Sequence, residues 1–144
     1  MKRDLIITNA AEIVPKLVCG EQISILANSA QTGSYEIYLH DAPEGAGPPP
    51  HMHAWDEAFY VIRGAVDFNC GGIERTVTAG GFVHVPGGTV HSFRYASPTA
   101  QILGITSQGG AATMFTAVDS ECGATPEIDK VIRVLTRNGV TVGV

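Results

Sequence analysis

Hydrophobic and polar residues alternate along much of this chain with a period of two, the mark of strands with two different faces. The clearest run is Ser34 to Asp41, where Tyr35, Ile37 and Leu39 stand against Glu36, Tyr38 and His40. Taking the Ile37 and Leu39 face as the inner one puts His40 outside, as a surface or interface histidine. Further strands are predicted at Leu17-Val18, Gln22 to Ala27, Glu57 to Arg63, Ala65 to Cys70, Ile73 to Val77, Phe82 to Val85, Val90 to Ala96 and Ala100 to Ser107. Turn residues separate them: the polar run Asn28 to Gly33, the hairpin signal Gly71-Gly72, Ala79-Gly80-Gly81 and Ser97-Pro98-Thr99. Roughly eight or nine short strands with frequent turns predict an all-β sandwich or barrel.

The period changes near the end. Ala111 to Val118 predicts a short helix after Gly109-Gly110. A second starts with Thr125 as N-cap and Pro126 at the first helical position. Ile128, Val131, Ile132 and Leu135 form its apolar face, and Asn138-Gly139 stops it. Residues 1–16 carry no strong period and read as a peripheral arm or edge strand. No internal repeat is visible, so one domain is expected over 1–144, with a barrel at about 17–108 and a helical segment at about 111–138.

Composition narrows the function classes. The 144 residues are 44% hydrophobic and 16% charged, with a formal net charge of -5. That is a folded domain with no basic run, which argues against nucleic acid and anionic membrane surfaces as partners. Cys19, Cys70 and Cys122 are far apart, form no CxxC pair, and read as reduced thiols of a cytoplasmic protein. The opening MKRDLIITNAAEIV is too short and polar for a signal peptide, and no apolar run approaches the length of a membrane span.

The chemistry sits in two stretches. In GAGPPPHMHAWDEAFYVIRG, Gly45 to Gly64, His51 and His53 share one face of an extended chain, and Glu57 joins them if the chain stays extended. Pro48, Pro49 and Pro50 stiffen the approach. In GGFVHVPGGTVH, Gly80 to His91, the Pro86-Gly87-Gly88 turn can return His91 to the same point. Imidazoles and a carboxylate converging on one point suit a divalent transition metal: Fe first, with Mn, Ni, Co or Zn as alternatives. His84 falls on the Phe82 parity and is expected to face away. Asp56 is expected to be a solvated or turn-capping acid. Phe59 and Val61 share the parity of Glu57, and Phe93 and Tyr95 that of His91, so these four should line the interior. Together with Trp55 and Met52, near the expected mouth, they are the candidate substrate contacts. For Trp55, packing against a lid or partner is an equal reading. Met114 and Phe115 are candidates to cap the mouth. Arg63 is expected to pair with a surface acid.

The first stretch resembles the first cupin motif at Gly45, His51, His53, Glu57 and Gly64, and the second resembles the other cupin motif at Gly80, Pro86, Gly88 and His91. Tyr95 stands where that motif usually has asparagine. The resemblance implies a double-stranded β-helix, or jelly-roll, barrel with one metal held by His51, His53, Glu57 and His91. It also implies a homodimer. The run PPPHMHAWDEAFYVIRG is further similar to small bacterial quercetin-dioxygenase-like proteins. That likeness implies oxygen-dependent cleavage of a small aromatic or enolic, flavonol-like substrate, with O2 as co-substrate. Glu57 would be the catalytic residue, accepting the substrate's acidic hydroxyl proton. The alternatives are a redox-neutral cyclase, isomerase or lyase on a carbonyl substrate, and a non-catalytic small-ligand-binding barrel.

Overall fold

The computed structural model describes residues 2–143; Met1 and Val144, the ends of the domain expected over 1–144, lie outside the described residues. The strands are β1 (Lys16–Val18), β2 (Glu21–Ala27), β3 (Tyr35–Asp41), β4 (His51–Met52), β5 (Glu57–Arg63), β6 (Ala65–Cys70), β7 (Ile73–Thr78), β8 (Phe82–Val85), β9 (His91–Tyr95), β10 (Gln101–Ser107) and β11 (Thr141–Val142). They form a six-stranded sheet in the order β1-β2-β3-β10-β5-β8 and a five-stranded sheet in the order β11-β4-β9-β6-β7. Every pairing is antiparallel. This is the predicted jelly roll.

The two sheets bury their facing residues in one apolar cluster that includes Phe59, Val61, Val66, Phe68, Phe93, Tyr95 and Ile102. The expected parity of Phe59, Val61, Phe93 and Tyr95 is therefore observed. A second cluster forms where helices close over the strands, joining Ile23, Tyr38 and Trp55 to Met114, Phe115, Val118, Val134 and Leu135.

Three helices depart from the sequence expectation. The polar run at Asn28 to Gly33 is a short helix, α1 (Ser29–Thr32), because Asn28 and Gln31 cap each other reciprocally and Gly33 takes the left-handed conformation at its end. The next helix, α2 (Ala111–Cys122), runs past Val118. The last, α3 (Ile128–Arg137), starts later than Thr125-Pro126 predicts. The first carbonyl to accept its backbone bonds is that of Glu127, from Lys130 and Val131 at 3.1 Å each, so Glu127 is the N-cap. Its buried side is Val134 and Leu135, with Val131 packed against them; Ile128 is 76% exposed and Ile132 is exposed too. Arg137 pairs with Glu121 to tie α3 to α2.

Strand β3 is also turned over relative to the prediction. Glu36, Tyr38 and His40 are its buried face, while Ile37 and Leu39 are half-buried on the other side. The reason lies in what the inward groups bond. The Glu36 carboxylate accepts the backbone N–H of Ser29 at 3.1 Å and of Ala112 at 3.3 Å, serving the first turns of α1 and α2. The Tyr38 hydroxyl lies 3.2 Å from the Thr106 hydroxyl of β10. Glu36 and Tyr38 can thus occupy the inner face with their polar atoms paired, and α2 is fixed over the end of the barrel. A further tie runs from Leu17 N–H to the Asp119 carboxylate of α2, at 2.8 Å. Residues 2–15 form the peripheral arm, with a short 3₁₀ turn at Ala10–Glu12 and with Leu5, Ile7 and Val14 exposed.

Candidate metal centre

His51 lies on β4 and is paired across the ladder with His91, the first residue of β9; both belong to the five-stranded sheet. Glu57 opens β5 in the six-stranded sheet. The chain bends at Ala54-Trp55 to cross from one sheet to the other. Glu57 therefore reaches the histidines by a sheet crossing and not, as sequence parity supposed, by continuing their strand. One ligating atom from each of His51, His53, Glu57 and His91 lies within 4.8 Å of all the others. His53, Glu57 and His91 are buried and His51 is half-buried.

The crossing is held by the Pro86-Gly87-Gly88 turn. Gly88 N–H donates to the His53 carbonyl at 2.8 Å, and Gly87 N–H donates to the Asp56 carboxylate at 2.8 Å. Asp56 is thus the turn-capping acid. A Cβ on Gly87 would lie 2.1 Å from the Ala54 carbonyl oxygen, so only glycine lets the turn dock this closely.

Each histidine uses its Nδ1 on a backbone carbonyl: His51 on Pro49 at 2.8 Å, His53 on Trp55 at 3.0 Å and His91 on Thr89 at 2.8 Å. A carbonyl only accepts, so every Nδ1 carries the proton, and a neutral ring then presents a bare Nε2. The Nε2 atoms of His53 and His91 lie 3.0 and 3.2 Å from Glu57 Oε2. In the neutral tautomer, acceptors face an acceptor. A cation between them resolves that conflict, so the donor set fits a divalent metal held by His51, His53, Glu57 and His91.

The titration behaviour has the same origin. Burial pushes the Glu57 carboxyl up, but without a metal the His53 and His91 rings, once protonated, donate from Nε2 and outweigh it, and its pKa falls to about 2. Burial, with His91 alongside, lowers His51 to about 4. For His91, burial is overcome by the bonds to Glu57 and Thr89, and its pKa is raised.

A cavity of about 60 Å³ opens onto His51, His53 and Glu57, with Trp55, Phe93, Met114, Phe115, Leu135 and Val140 among its walls. Trp55 stacks on His53, with ring centroids 4.3 Å apart and planes 8° from parallel. Met114 and Phe115 reach the cavity from α2. Phe59, Val61 and Tyr95 are buried in the apolar core, and Met52 sits on β4 opposite Thr141; none of these four is among the cavity walls. A larger depression of about 470 Å³ lies elsewhere, between Pro48–Pro50 and strands β6, β7 and β9, without the quartet. His84 is exposed, as its parity predicts. Arg63 pairs with Asp41 at 3.3 Å, on the surface.

Two cavity residues escape a sequence reading. His40 is 2% exposed, not a surface histidine, and stands with Glu21 on the cavity wall. The available signal was its parity with Glu36 and Tyr38, which gives β3 a consistently hydrogen-bonding face.

Comparison with known proteins agrees with this geometry. Residues 38–103 match the family model described as a cupin domain. Over 102 residues the chain is 28% identical to quercetin 2,3-dioxygenase of Bacillus subtilis (strain 168), a match covering 69% of this chain and 30% of that protein. The chain therefore spans less than a third of that relative's length. Among solved structures, an RmlC-like cupin from Shewanella frigidimarina superposes with a TM-score of 0.68 at 17% identity, covering 78% of this chain and 99% of its own. The polyketide cyclase RemF from Streptomyces resistomycificus gives 0.63 at 18% identity, covering 72% and 80%. At these identities the two structures speak to the fold alone.

Proposed function

We propose, from the match of residues 38–103 to the cupin-domain model, that the chain is a mononuclear metal-dependent enzyme, a dioxygenase acting on a small aromatic or enolic substrate. The observation that carries this reading is the convergence of bare imidazole nitrogens on a buried carboxylate, each ring oriented by a backbone carbonyl. A dication held there supplies Lewis acidity and, where redox-active, electron chemistry toward O2. The distant relation to a quercetin 2,3-dioxygenase supports the oxidative branch.

The chain's own groups have definable parts. Glu57 is ionised at neutral pH and can accept an acidic hydroxyl proton at Oε2. Trp55 and Phe93 offer aromatic surface to the substrate. Met114, Phe115 and Leu135 exclude water from above the site. Typical small-molecule sites span about 300–1,000 Å³, so a cavity of about 60 Å³ supports a substrate of few atoms. A full flavonol requires α2 and α3 to move.

A redox-neutral reading, as a cyclase, isomerase or lyase on a carbonyl substrate, has its own support. Glu21 and His40 place a second protonatable pair beside the same cavity. Oxygen uptake separates the two. The chain is reconstituted with Fe, Mn, Ni or Co and offered a flavonol and small enols. Uptake that requires both metal and Glu57 supports the dioxygenase. Full metal occupancy with no uptake for any of them transfers the reading to redox-neutral chemistry.

A further inference from the structure

His40 Nε2 is, among the described residues, the buried side-chain nitrogen or oxygen without a hydrogen-bond partner. The rest of the ring is fully engaged. Its Nδ1 lies 3.2 Å from Glu21 Oε1, an oxygen that also accepts the Tyr95 hydroxyl at 2.6 Å. Glu21 is buried with it. Four aromatic rings stand edge-on around the imidazole: Tyr38, Phe59, Phe93 and Phe115, with centroids at 6.0 to 6.4 Å. None of them offers Nε2 a partner. On β10, Gly104 faces the ring without a side chain; a Cβ there would lie 2.7 Å from Nε2.

Such an arrangement is costly as plain packing, since a buried polar atom left unpaired loses its hydration without compensation. The cavity wall that holds His40 also holds His51, His53 and Glu57. With Glu21 accepting at Nδ1, a neutral His40 presents Nε2 as an acceptor; the atom is covered, and the cavity that His40 lines is the side from which a ligand's donor can reach it once that cover shifts. We propose that His40 anchors the ligand: its Nε2 accepts a hydrogen bond from a hydroxyl of a small phenolic or enolic compound, while Glu21 and Tyr95 hold the ring in place. The aromatic surround fits the flat apolar body of such a compound. Tyr95, at the position where an asparagine is usual, then acts through Glu21 on ligand orientation. This inference rests on the reading of the cavity as a substrate site.

The test uses the zinc-loaded chain, which cannot turn over an oxidisable ligand, with phenol as the probe. The protein carries five histidines, and labelling them with ¹⁵N lets NMR report each ring nitrogen, with His40→Phe giving the assignment. The expected result is a His40 protonated at Nδ1 whose Nε2 resonance moves toward the hydrogen-bonded position as phenol is added. His40→Phe should bind phenol at least about tenfold more weakly with zinc content unchanged, and His40→Gln, which restores an acceptor, should recover most of the loss. Equal phenol affinity in wild type and His40→Phe overturns the proposal. So does an Nε2 that phenol leaves unmoved because a water alone occupies it, a proton on Nε2 in place of Nδ1, or a wild-type chain that does not bind phenol. Oxygen plays no part in the measurement. Phenol held by His40 in a chain that takes up no oxygen leaves this inference standing and removes the dioxygenase reading.

Discussion

Single atoms decide what this site can hold. The backbone carbonyls of Pro49, Trp55 and Thr89 fix the ring orientation of His51, His53 and His91, and with it which nitrogen is bare. Partners that merely orient metal ligands are worth about 10–100-fold in affinity, so losing a ligand itself should cost more. Replacing His53 or Glu57 with alanine is expected to lower metal affinity at least about 100-fold, read as metal per chain after dialysis. Unchanged stoichiometry in both variants would remove the quartet. His84→Ala should retain full metal, because that side chain is exposed; metal loss from a folded His84→Ala chain would contradict the placement.

At the level of elements, the barrel is positioned by a few polar ties whose removal is measurable. Glu36→Ala strips the acceptors from the first turns of two helices. Removing such an acceptor leaves buried donors unpaired and should cost about 1–3 kcal/mol in urea unfolding; a cost near zero would mean that α2 is held by apolar packing alone. Gly87→Ala forces a Cβ against the Ala54 carbonyl, and should weaken metal binding through the loop that carries His53. Metal titration of a folded Gly87→Ala chain checks this, and unaltered affinity refutes it. These elements also mark how far the sequence could be read. The strands and the quartet were legible because period-two alternation and fixed spacings survive translation into structure. The inward face of β3 was not, because hydrophobicity assigns the apolar side to the core, whereas here Glu36, Tyr38 and His40 find partners or a cavity inside. The start of α3 was misplaced because Thr125 and Pro126 are good starting residues whose carbonyls the helix does not use. Its apolar face was misread because Ile128 and Ile132, though correctly spaced, lie outside the seam with α2.

For the whole molecule, the helical end forms one side of the cavity. The walls of the cavity above the quartet include Met114 and Phe115 of α2 and Leu135 of α3. Met114→Ala should destabilise the fold by about 2–5 kcal/mol, as large-to-small changes in a packed interior do. The same change should raise affinity for bulky enols relative to small ones, measured as a ratio of dissociation constants on the zinc-loaded chain. A ratio that does not move would show that the helices do not limit substrate size. Among the described residues no helix is long and apolar enough to cross a membrane.

The quartet, Trp55 and Phe93 fall within residues 38–103, the part matched as a cupin domain, while Met114, Phe115, Leu135 and Val140 all follow it. The helical share of the cavity wall is therefore encoded apart from the metal ligands, whereas His40, Trp55 and Phe93 share their passage with them. On the proposed reading, mutation can reshape the helical share without touching a ligand. The same division gives an engineer a place to begin: a library confined to residues 111–142 varies one side of the cavity and leaves the quartet unaltered.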